Sequence, residues 1–176
     1  MPVRNLIFVA FVEPVAEGQV FPRTEWPLHI TLLRFDVRFD AGSQESGDVA
    51  ERIAGLADGA ATAALGAPLT IGEEAGFGRN GSVPVNLVQP HAALQELHEQ
   101  LVKLVPVVEG RILTPGHTLT GYRPHVSHQG TTGAGAKRLH PGDAVVLDRV
   151  ALVDMAPGGN HTIRRVLRLW SREGGS

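Results

Sequence analysis

Pro27-Leu28-His29-Ile30-Thr31-Leu32 is the stretch from which the fold is read. Leu28, Ile30 and Leu32 alternate with His29, Thr31 and Leu33, the two-residue period of a strand with one face in the core. Residues i and i+2 of a strand share a face, so His29 and Thr31 present an imidazole and a hydroxyl side by side. The pattern returns at Pro124-His125-Val126-Ser127-His128, again just after a proline. One His-x-(Thr/Ser) unit thus stands in each half of the chain.

Outward from these motifs the chain punctuates itself. Val3 to Val12 is nearly continuous in apolar residues, as a buried strand is. A loop around Ala41-Gly42-Ser43 leads to a helix from about Asp48, which Asp48 caps in a box-like pair with Glu51; Val49, Ile53, Leu56 and Ala60 share its apolar face. Strands near 69–77 and 83–88 flank Asn80-Gly81, a hairpin signal because both residues tolerate positive φ. Pro90 occupies a first helical position before the stripe Leu94, Leu97, Leu101 and Leu104. Strands at 122–128, 144–154 and 162–170 complete the order β-β-α-β-β-α-β-β-β. The class is α+β, with one helix in each half. If the halves pack together through the motif strands, two imidazoles and two hydroxyls converge on one cleft.

A chain of 176 residues with 43% hydrophobic and 19% charged residues has the make-up of a single folded domain spanning 1–176. No cysteine is present, which excludes disulfides, thiol nucleophiles and thiolate metal sites, and fits a cytoplasmic setting. Leu6 to Val12 is too short to span a bilayer, so no membrane partner is expected, nor is an obligate protein partner evident. A net charge of −2 argues against general duplex binding, yet it is unevenly spread: residues 1–110 carry −7 and residues 111–176 carry +5. The basic third suits a small anionic substrate, or is ordinary solvated charge.

The paired histidines define a chemistry. Breaking a P–O bond with water needs a base for the water proton and an acid for the leaving oxygen. Histidine does either near neutral pH, while hydroxyls donate hydrogen bonds to the non-bridging oxygens. His91 and His98, on the second helix, read as surface or boundary residues, and His117, His140 and His161 fall in loops. A metal reading would gather His117, His125 and His128, but their spacing matches no recognised ligand set, so neither metal nor cofactor is expected. Gly130 to Lys137 approaches a phosphate-cradling loop, but Ala136 intervenes before the lysine and Arg138 replaces the needed hydroxyl. A plain loop is the stronger reading, with Lys137 and Arg138 as candidates for contact with a substrate phosphate. Beside the motifs, Trp26 and Tyr122 are candidates for stacking on a nucleobase or for core packing. Arg79 and Arg123 are candidates for phosphate contact.

The two motifs, the Gly76-Phe77-Gly78 stretch, the Leu94-to-Leu101 helix and the terminal Leu169-Trp170 together resemble the 2H phosphoesterase superfamily, in its 2′,5′-RNA ligase-like, RNA 2′,3′-cyclic phosphodiesterase branch. The resemblance implies a bilobal fold: two pseudo-symmetric lobes of antiparallel sheet with helices, and an active-site cleft between them. It implies His29 and His125 as acid and base, and Thr31 and Ser127 as phosphate-binding hydroxyls. It implies metal-independent hydrolysis of 2′,3′-cyclic phosphate ends of RNA or small nucleotides to 2′-phosphates. A 2′,5′-RNA ligase working in the reverse direction and a non-catalytic RNA-end or nucleotide-binding module are the alternatives. The family usually places an apolar residue where this chain has His128, which alternation turns away from His125.

Overall fold

The computed structural model describes residues 3–38, 45–130 and 136–172, with the side chains of 45–48 left aside. The loop expected around Ala41-Gly42-Ser43 and the middle of the Gly130-to-Lys137 segment lie outside the described residues. The elements run β1 (Val3–Phe11), β2 (Val20–Pro22), β3 (His29–Arg38), α1 (Glu45–Ala64), β4 (Pro68–Phe77), β5 (Val83–Val88), α2 (Ala92–Val107), β6 (His125–Ser127), β7 (Ala144–Val146), β8 (Arg149–Asp154) and β9 (Ile163–Ser171). All strands join one antiparallel sheet in the order β2-β9-β8-β1-β3-β6-β5-β4-β7.

That order forces the sheet to curl. Only Leu147 and Asp148 separate β7 from β8, a reach of at most about 11 Å between the strand ends. In a flat sheet the six intervening spacings would set them about 29 Å apart. The apolar segment 144–154, expected as one strand although Asp148-Arg149 interrupts it, is therefore two: β7 pairs with β4, and β8 with β1 and β9. Leu147 is buried at the break, tied by backbone bonds to Gly66 and Ala67 at the end of α1.

Both helices cover one face of the sheet. The main core joins Ile53, Ala57 and Ala61 of α1 and Leu94, Leu97 and Leu101 of α2 to Phe8, Ile30, Phe35, Val126, Leu152 and Trp170. A smaller cluster on the other face holds Val9, Phe11, Phe21, Trp26, Ala151, Val153 and Val166. Among the described residues no helix is long and apolar enough to cross a membrane.

Three local expectations change. Helix α1 starts at Glu45, so Asp48 lies inside it rather than at its cap; no proline stands in 45–48 to stop the helix beginning earlier. Its buried face runs through Ile53, Ala54, Ala57 and Ala61, while Leu56 is 45% exposed. Helix α2 starts at Ala92, so Pro90 lies before it rather than at its first helical position, and His91 caps it, its Nδ1 accepting the Ala93 N–H at 3.1 Å. The hairpin between β4 and β5 does turn at Asn80-Gly81, with φ of 57° and 67°.

The face assignment of α1 is testable by urea denaturation. Ile53→Ala opens a cavity in the main core and should cost about 2–5 kcal/mol. Leu56→Ala should stay within about 0.5 kcal/mol. Equal losses would restore the face that periodicity alone picks out.

Candidate active site

Strands β3 and β6 touch through one residue pair, Ile30 opposite Val126. Antiparallel pairing then sets Thr31 opposite His125 and His29 opposite Ser127. Ile30 and Val126 point into the main core, so all four motif side chains share the other face. The imidazoles stand on the diagonal of this block, with β-carbons about 7 Å apart. The halves thus meet edge to edge in one sheet, and the cleft lies on its surface.

Each imidazole is held in the same way. His29 Nδ1 lies 2.8 Å from the Pro27 carbonyl, and His125 Nδ1 lies 2.9 Å from the Arg123 carbonyl. A carbonyl only accepts, so Nδ1 carries the proton and Nε2 is left for chemistry. Pro124, directly before His125, keeps Arg123 extended, which lets the ring fold back on its carbonyl; before His29, Leu28 intervenes and the accepting carbonyl is that of Pro27 itself. Among the described residues no partner takes up the Thr31 or Ser127 hydroxyl. Burial pushes the His29 pKa down to about 4 against the pull of its Pro27 bond, and the charge of His125 lowers it further. Burial also lowers His125 against the pull of its Arg123 carbonyl bond, and the charges of Arg123 and His117 lower it further.

The rings are wedged by aromatics. Trp26 lies 4.4 Å from His29, with Phe11 at 6.0 Å, and Phe77 lies 4.4 Å from His125. The Arg123 guanidinium covers Phe77 at 4.9 Å. A cavity of about 710 Å³ opens here, lined by Thr31, Phe77, His117, Tyr122, Arg123 and His125 among others; His29 and Ser127 flank it without lining it. Its floor depends on a close approach: a β-carbon on Gly121 would sit 2.1 Å from the Gly116 carbonyl.

The remaining candidates separate. Trp26 is packed against Phe21, His29 and Arg164 and only 9% exposed, so core packing describes it and little of the ring faces a nucleobase. Tyr122 lines the cavity, donates its hydroxyl to the Thr31 carbonyl at 2.8 Å, and stacks on His98 at 3.9 Å. Arg79 sits on the exposed hairpin turn, one residue past the Gly78 that lines the cavity. Lys137 pairs with Glu13 at 2.8 Å and Arg138 with Glu74 at 2.9 Å. His128 turns away to meet the buried Asn86 at 2.9 Å. Among the described residues no three His, Asp or Glu side chains group as metal ligands.

His98 is a correction. It is 1% exposed, not a surface or boundary residue. Its Nδ1–H donates to the Leu32 carbonyl at 2.7 Å, and Nε2 accepts the Leu119 N–H at 2.9 Å. It therefore ties the cavity loop to the motif strand. Helical spacing puts it one residue after Leu97 on the buried stripe, which was the available signal; the role of Phe77 showed only in its flanking glycines. His98→Leu should strand both backbone groups and cost about 2–4 kcal/mol in urea denaturation. His91→Ala, losing one cap, should cost about 1 kcal/mol. Equal losses would mean that the His98 bonds hold nothing.

With this geometry in place, comparisons with known proteins supply the family. The model of the 2′-5′ RNA ligase superfamily matches residues 10–140, a span that includes both motifs. No curated protein matches the chain significantly. A phosphoesterase crystal structure superposes with a TM-score of 0.59 at 16% identity, covering 97% of this chain and 98% of that one. Escherichia coli LigT complexed with NADP+ gives 0.57 at 15% identity over 96% of each chain. The same protein complexed with 3′-AMP gives 0.56 at 17% identity, over 96% of this chain and 97% of that one. At such identities the structural likeness speaks for the fold, and the family model for kinship: the chain belongs to the 2′-5′ RNA ligase superfamily of 2H phosphoesterases.

Proposed function

We propose that this chain is a single-domain cyclic phosphodiesterase that opens 2′,3′-cyclic phosphate ends of RNA or nucleotides to 2′-phosphates, using His29 and His125 as its acid–base pair. The observation that carries the reading is the four-residue block across Ile30 and Val126, with both Nε2 atoms and both hydroxyls unclaimed among the described residues. The complexes of E. coli LigT with 3′-AMP and with ATP support a nucleotide ligand.

His29, held near 4, is neutral through the working range and suits the base. It takes a proton from water as the water oxygen bonds to phosphorus. His125, protonated, gives its proton to the 3′ oxygen as the P–O3′ bond breaks, leaving the phosphate on the 2′ oxygen. Thr31 and Ser127 donate to the non-bridging oxygens, whose charge grows in the transition state. Arg123, exposed beside His125 and lining the cavity, adds a positive charge for the phosphate. The anionic substrate itself favours the imidazolium that the acid role needs. No cofactor enters these steps.

His29→Ala and His125→Ala should each lower turnover of a nucleoside 2′,3′-cyclic phosphate by about two to four orders of magnitude, with unfolding midpoints little changed. Phosphorus NMR of the wild-type product should show the 2′-phosphate, and EDTA should leave the rate intact. Near-wild-type turnover in either variant would end the paired-histidine reading.

The pH dependence follows from the downward shifts. A base must be neutral, so activity is lost as pH falls through its lowered pKa. An acid must be protonated, so activity is lost as pH rises through its own. Both imidazoles are lowered from 6.5 in the free protein, so kcat/KM should trace a bell with its optimum below pH 6.5, its limbs belonging to the pair. The kcat profile, which reports the substrate complex, should lie higher in pH because bound phosphate raises both values. A kcat/KM optimum above pH 8 would contradict this electrostatic picture.

A further inference from the structure

A second cavity, of about 840 Å³, lies beside the catalytic one and shares Arg34 with it as a wall. Strand β3 brings Arg34 there through a bulge. Phe8 pairs with Leu33 but Val9 with Thr31, so β3 carries one extra residue, Leu32. The bulge resets the alternation: Leu32 and Leu33 both enter the main core, and Arg34 comes to the face that bears Thr31. Arg34 is about 10 Å along the strand from Thr31, within reach of a neighbouring nucleotide's phosphate.

The cavity gathers cations that its acids do not neutralise. Arg4 is held by Asp154 at 2.6 Å, and Asp36 accepts from Asn5 at 2.6 Å. Arg23, Arg34 and Arg164 remain, with no carboxylate in salt-bridge contact among the described residues. Arg34 spends only its Nε, on Asn5 Oδ1 at 2.8 Å. Arg164 directs one terminal nitrogen at the Met155, His161 and Ile163 carbonyls, while its Nε is buried with no acceptor among the described residues. Burial lowers the Arg164 pKa, and the charges of Arg34 and Arg23 lower it further against the pull of Asp154. Mutually repelling guanidiniums with idle donors around an open cavity are stabilised by an anion that accepts from all of them. Arg164 also lies over Trp26, 5.8 Å from its centre, and Trp26 packs on His29, so the cavity adjoins the catalytic block.

We propose that Arg23, Arg34 and Arg164 form a second phosphate subsite, which takes an internal phosphodiester of an RNA oligonucleotide whose cyclic end lies at His29 and His125. The inference rests on the phosphodiesterase reading and names its substrate class: oligonucleotide ends over free cyclic mononucleotides.

The test compares a trinucleotide ending in a 2′-phosphate with a nucleoside 2′-phosphate, by calorimetric binding to the wild type and to Arg23→Gln. Arg23 is exposed and its side chain has no partner among the described residues, so the variant keeps its structure. The trinucleotide should bind wild type about tenfold tighter than the mononucleotide. Arg23→Gln should remove most of that advantage, lower the slope of log K against log salt by about 0.7, and leave mononucleotide binding and turnover unchanged. Equal binding of the two ligands, or an equal loss for both in the variant, overturns the subsite. The two readings fail separately. Length-independent turnover of cyclic phosphate sinks the subsite alone, whereas an Arg23-dependent trinucleotide preference without any turnover sinks the phosphodiesterase reading alone.

Discussion

The pairing of Ile30 with Val126 is the contact on which the site depends. It is one residue pair long, yet it fixes which way four polar side chains point. A slip of one residue on either strand would send a histidine and its hydroxyl into the apolar core. Burial of both pairing residues against the helices opposes that slip, because Ile30 and Val126 are the motif residues that the core accepts. Core packing and site geometry are thus one constraint seen from two faces of the sheet.

Around that pair the site is built by repetition. Each histidine donates an Nδ1–H hydrogen bond to the carbonyl two residues back and rests against an aromatic ring. The backbone bonds select the tautomer, and burial keeps both rings inclined to neutrality. Tyr122 and His98 extend the same economy into the loop: the Tyr122 hydroxyl reaches the Thr31 carbonyl, and His98 bridges Leu32 to Leu119. Removing water from the imidazoles tunes them, and the aromatic wedges that exclude the water also hold the rings still.

The bulge in β3 gives one strand two jobs. Before it, period-two alternation presents His29 and Thr31; after it, the extra residue restores the same face to Arg34. Adjacent cavities with different chemistry, one of histidines and hydroxyls and one of guanidiniums, therefore share a single wall.

The sequence by itself determined the α+β class, the Asn80-Gly81 hairpin, the two helices and the pair of motifs, because these rest on local period and on turn residues that need no distant partner. Alternation also placed His29 with Thr31 and His125 with Ser127. What only the tertiary structure decided depends on contacts far apart in the chain. The apolar run 144–154 breaks in two because its halves pair with different strands. Leu56 is exposed and Ile53 buried because the sheet, not helical period alone, selects the face of α1. His98 is buried because the loop carrying Leu119 closes over it, and Trp26 is a packing residue because Arg164 arrives from β9 to lie over its ring. The bulge shows in β3 as a change of phase, from Leu28, Ile30 and Leu32 to Leu33, Phe35 and Val37, but its place was fixed only when Phe8 and Val9 took their partners.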